Sequence, residues 1–68
     1  MNIWVNEQVD PSGIIHACIA CCDESQAPEC HESFKRDLTQ IQKANGWVAQ
    51  LRTVDSWDLV PVNAFKIS

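Results

Sequence analysis

Basic residues are missing from the first half of this chain. Residues 1–34 of the 68 contain no Lys or Arg, against six acids: Glu7, Asp10, Asp23, Glu24, Glu29 and Glu32. The other half holds five bases and three acids, so the halves carry about −6 and +2 within a net charge of −4. Nucleic acid is held by clustered Lys and Arg. Five scattered bases against nine acids therefore argue against direct nucleic-acid binding. An acidic surface suits a basic protein partner, or simply keeps the chain soluble.

Long apolar runs are missing too. No stretch approaches the ~18 residues that a membrane-spanning helix requires, so no membrane role is expected. The opening MNIWVNEQVD has neither the basic start nor the apolar middle of a secretory signal. The expectation is a cytoplasmic protein, where four cysteines serve as thiols or ligands rather than disulfides. Glycine and proline are scarce, at two and three, so the few chain breaks can be read singly.

What is present is the material of one small folded domain, 1–68. Hydrophobic residues make up 46%, with three Trp and two Phe, which excludes a disordered tail. A domain this size buries only roughly 60% of its unfolded surface, so its core is thin.

Asn2 to Glu7 alternates as a strand, and Asp10-Pro11-Ser12-Gly13 is a turn in which Pro presets φ and Gly accepts φ > 0. Gly13 to Cys22 is a second strand with no charge on either face, hence expected inside the sheet. Pro28 suits a helix start. Glu29 and Glu32 complement the helix dipole there, and Cys30, Phe34, Leu38 and Ile41 form one apolar stripe. Asn45-Gly46 stops the helix, predicting it over 28–44. Gly46 to Val54 is a third strand. Trp57 to Ile67 is a fourth, weakened at Pro61 and so placed at an edge, bulged or split.

The order β-β-α-β-β predicts an α+β fold, a four-stranded, mainly antiparallel sheet with one helix packed on one face. The expected core is Ile3, Val5, Ile15, Ala17, Ile19, Phe34, Leu38, Ile41, Trp47, Ala49 and Leu51, with Trp57 capping its edge. The other face would stand open, carrying Trp4, Ile14, His16, Cys18, Val48, Gln50, Arg52 and Val54. A one-residue register error would exchange the faces.

Chemistry concentrates in Ile14 to His31, which holds all four cysteines and both histidines. A zinc site would use Cys18, Cys21, Cys30 and His31. Strand geometry opposes it, because Cys18 and Cys21 point to opposite faces and Cys30 lies on the helix's apolar stripe. A thiol redox protein would use Cys18 beside His16, but no third orienting group or oxyanion feature accompanies them. The sequence reads as non-enzymatic, with no required cofactor.

Surfaces remain. The acids Asp23, Glu24, Glu29 and Glu32 crowd the helix start, and Trp4, His16, Gln50 and Arg52 mark the open face, a candidate for partner docking, a homodimer, or closure by the C-terminal segment. The expectation is a small acidic protein-binding module. By analogy of type it is a phage or mobile-element accessory protein that inhibits or modulates a host protein, as anti-CRISPR and anti-restriction proteins do. Its partner would be a protein, such as a basic nucleic-acid-binding one.

Overall fold

Strand β1 (Ile3–Val9) extends two residues past the expected stop. The polar run Asn6-Glu7-Gln8 is not a strand end, since Asn6 and Glu7 are both fully buried. The computed structural model describes residues 2–67. After β1 the chain turns at Asp10-Pro11-Ser12-Gly13, closed by Gly13 N–H donating to the Asp10 carbonyl at 3.0 Å. Pro follows Asp and Gly sits last, at φ +91°, which is the residue order of a type I turn ending in a left-handed glycine.

β2 (Ile15–Cys21) returns antiparallel to β1. Trp4 faces Cys21, Asn6 faces Ile19 and Gln8 faces Ala17; the register then shifts and Val9 faces Ile15. His16 is the extra residue of that bulge, and it moves Ile15 to the side opposite Ala17 and Ile19. Strict alternation through the strand placed all three together.

The expected helix 28–44 is two helices. α1 (Gln26–Asp37) ends where Leu38 takes an extended backbone, ψ 127°. α2 (Gln40–Ala44) restarts behind a capping box: Gln42 N–H donates to Thr39 Oγ1 at 3.1 Å, and Thr39 N–H donates to Gln42 Oε1 at 2.9 Å. That reciprocal cap satisfies two otherwise orphaned donors. The break turns Ile41 to solvent, 75% exposed, so it does not join the core. α2 ends in a Schellman motif at Gly46 (φ +96°), with Gly46 N–H on the Lys43 carbonyl and Trp47 N–H on the Gln42 carbonyl. A side chain at Gly46 would meet Pro11 Cγ at 3.2 Å, so this corner packs against the β1–β2 turn.

β3 (Val48–Val54) pairs antiparallel with β1 on its other side. The tail does not form a hairpin with it. After a single 3-10 turn at Trp57–Leu59 and Pro61, only β4 (Phe65–Ile67) is a strand. It crosses to the far edge and pairs parallel with β2. The sheet is therefore mixed, in the order β3-β1-β2-β4. The fold is α+β with four strands, but neither the expected antiparallel arrangement nor the simple β-β-α-β-β order holds. Proline cannot supply a ladder donor, and the 3-10 turn uses the residues that a continuous fourth strand would have needed. β2 is interior, as its uncharged faces implied.

Register also decides the faces. Val5 is opposite Ala20 and Arg52, and Ile3 is opposite Val54. Ile3, Val5, Cys18, Ala20 and Val54 thus share one face, which the tail covers with Val60, Trp57 and Ala64. The helix lies on the other face, over Asn6 and Gln8, where Ala27, Phe34 and Leu38 are buried. The expected core had put Ile3 and Val5 under the helix with Ala17, Ile19 and Leu51. They lie on the opposite side, where the C-terminal segment closes the face over them, as one of the three expected outcomes had it, and leaves Val48, Gln50 and Arg52 exposed toward the β3 edge.

Candidate interaction surfaces

The helix start is built by Asp23. Its Oδ1 accepts from Ser25 N–H at 2.8 Å and Ser25 Oγ at 2.7 Å, and its carbonyl accepts from Gln26 N–H. The Ser25 hydroxyl and amide hold the Asp23 carboxyl below its ordinary range. Asp23, Glu24, Glu29 and Glu32 are all exposed. Glu32 meets Lys35 at 3.1 Å one helical turn on, which lowers its pKa. Among the described residues Asp23, Glu24 and Glu29 face no Lys or Arg in an ion pair. The patch is a negatively charged, solvated rim with local order at one end.

Trp4, His16, Gln50 and Arg52 do not form one surface. Trp4 faces Cys21 and Thr53 on the helix side of the sheet. Gln50 and Arg52 lie on the opposite side and converge on Glu7. Glu7 Oε1 accepts from Gln50 Nε2 at 2.8 Å and Arg52 Nε at 3.0 Å; Oε2 accepts from Arg52 Nη2 at 3.2 Å. A carboxylate with no exposed surface is tolerable only when paired and hydrogen-bonded. Arg52, its side chain 41% exposed, lies at the boundary between that buried charge and water. The Glu7 hydrogen bond raises the Arg52 pKa. Sequence reasoning missed Glu7; the signal was the return of an apolar residue at Val9, which keeps Asn6-Glu7-Gln8 inside the strand.

His16 belongs to a third cluster. Asp10 Oδ1 accepts from Ser12 N–H, Ser12 Oγ and Ile14 N–H at 2.7–3.0 Å, while Oδ2 lies 2.7 Å from His16 Nε2. Facing a carboxylate, Nε2 is the protonated nitrogen. The His16 hydrogen bond leads the effects that drive the Asp10 pKa far down. The His16 ring packs at a tilt of 34° against Trp47, centroids 4.4 Å apart. Trp47, expected in the core as a strand residue, instead precedes β3 and is half-buried against His16. The bulge thus takes His16 away from Cys18 and ties it to the turn.

The thiols are dispersed. Cys18 is buried on the tail-covered face; burial, then the charge of Glu7, raises its pKa to about 11. That is the reverse of a reactive thiolate. Cys21 is buried on the helix side, its Sγ donating to the Asp23 carbonyl at 3.7 Å, and burial raises its pKa also. Cys22 is exposed, Cys30 half-buried, and all four are free. His31 is half-buried, and its Nδ1 has no hydrogen-bond partner among the described residues. The set Cys18, Cys21, Cys30 and His31 does not converge, because the sheet separates Cys18 from Cys21. Among the described residues no three His, Cys, Asp or Glu side chains are grouped to hold a metal.

No enclosed cavity is found among the described residues, and no helix there is long and apolar enough to cross a membrane. Comparison with protein-family models, with curated proteins and with solved structures finds no match to this chain.

Proposed function

We propose that this chain is a small acidic, non-enzymatic protein-binding module that docks a basic protein surface through the rim Asp23, Glu24, Glu29 and Glu32. The observation that carries the reading is the exposure of all four acids with a single ion pair to them among the described residues, Lys35 on Glu32. Clustered unpaired charge speeds encounter with an oppositely charged partner and sets orientation more than it adds affinity. Basic surfaces of that kind are typical of proteins that bind nucleic acid. Two of the chain's own five bases, Lys35 and Arg52, are engaged by Glu32 and Glu7, which supports a protein partner over a direct nucleic-acid one. The biological setting that fits is a phage or mobile-element accessory protein modulating a host protein, of the anti-CRISPR or anti-restriction type.

The test is affinity capture from the host with the wild type, with Glu24→Lys/Glu29→Lys, and with Asp55→Lys/Asp58→Lys as a control of equal charge change. The expected result is a basic protein bound by the wild type and the control, lost from the rim variant, and released by raised salt. Equal capture by the rim variant, with its circular dichroism unchanged, overturns the proposal.

A further inference from the structure

β3 is the long free edge of the sheet. It pairs only with β1, and no backbone group of Val48–Val54 bonds to any other described segment. The opposite edge, β4, has three residues. Exposed edges are ordinarily blunted by shortness, proline, a bulge, charged side chains or a covering element. β4 is short; β3 has neither proline nor bulge. Its sequence VAQLRTV runs seven residues without proline or glycine, its register against β1 never shifts, and its one charge, Arg52, is already tied to Glu7.

We propose that this edge is a homodimer interface, in which β3 pairs antiparallel with β3 of a second copy about a two-fold axis at Leu51. The strand is self-complementary in that register. A two-fold axis perpendicular to the sheet keeps each face on its own side, so it passes through one residue. Centring on Leu51 matches the whole of Val48–Val54 against itself. Centring on Gln50 or Arg52 loses residues at one end, and centring on Arg52 also sets two guanidinium groups face to face.

With Leu51 on the axis, Leu51 meets Leu51 of the second copy, and Val48, 51% exposed, meets Val54. Arg52 lies opposite Gln50 of the second copy. Gln50 donates through Nε2 to its own Glu7, which leaves its Oε1 to accept. Arg52 uses Nε and Nη2 on its own Glu7, which leaves Nη1 to donate. The buried Glu7 of each copy thus orients both polar side chains for the other. This interface is independent of the acidic rim, and either can fail without the other.

Sedimentation equilibrium of the full chain, across micromolar to millimolar concentration, tests it. The expected species has twice the 7.7 kDa chain mass. Leu51→Lys brings two ammonium groups together on the axis and is expected to weaken association by at least about tenfold. Crosslinking reads the same register without a charged substitution. In a Cys22→Ser/Cys30→Ser background, Leu51→Cys joins two chains through a short bismaleimide. Val48→Cys does not, because its two copies lie about 20 Å apart along the strands. A chain that stays monomeric throughout overturns the proposal, as does a dimer that crosslinks at 48 rather than 51 or that Leu51→Lys leaves intact. A monomer that accepts a free peptide strand along β3 overturns it as well.

Discussion

The two faces of the sheet are covered by different means. On the helix side, α1 is anchored by polar side chains of β1 reaching its backbone: Asn6 Nδ2 to the Ala27 carbonyl at 3.2 Å and Gln8 Nε2 to the Phe34 carbonyl at 2.9 Å. On the other side, the tail lies over an apolar cluster around Ile3, Val5 and Val60, flanked by the buried Glu7–Arg52 pair. One cover is positioned by directional bonds, the other mostly by excluded water. A small domain cannot leave either face bare, and using the segment after β3 as the second cover leaves its rim and its edge for recognition.

The difference predicts unequal sensitivity. The largest effect belongs to the tail-covered side: Arg52→Ala strands Glu7 as a buried charge, with only Gln50 left to it, and is expected to destabilise by about 3 kcal/mol. Urea denaturation measures it, and Glu7→Gln/Arg52→Ala should recover much of the loss, since the stranded charge is then gone. A loss below that of an ordinary surface substitution would mean that Glu7 reaches water. The helix side answers more weakly. Gln8→Met keeps the bulk and removes one bond to the Phe34 carbonyl, for an expected loss of about 1 kcal/mol. If Gln8→Met proved the more damaging of the two, the contrast between the faces would be reversed.

Much of this fold was legible in advance, and the failures have physical causes. β1, β2 and β3 and the first helix follow from alternation and the 3.6-residue stripe, although α1 starts at Gln26, so that Pro28 is its third residue rather than its first. The helix break was written in Thr39-x-x-Gln42, a capping box inside an apparently continuous stripe that Ile41 seemed to extend. The bulge at His16 and the parallel return of β4 were not readable, because both depend on pairing between distant segments. A register that differs by one residue moved Ile3 and Val5 to the other face. The same non-local pairing hid Glu7, whose partners lie 43 and 45 residues away. The exposure of the acidic rim was legible because its four acids lie close together at a helix start, away from any strand, whereas Trp4, His16, Gln50 and Arg52 were grouped by the wrong register and belong to three different places.

Closure of both faces is tested most directly by the reactivity of the cysteines, since Cys18 reports on the tail and Cys21 on the helix. Iodoacetamide labelling of the native chain at pH 8, followed by mass spectrometry over time, should modify exposed Cys22 first. Cys18, with its pKa at about 11, and buried Cys21 should label only as fast as the chain unfolds. Labelling of Cys18 at the rate of Cys22, with Cys21 still protected, would mean that the tail leaves its face open and would contradict the account.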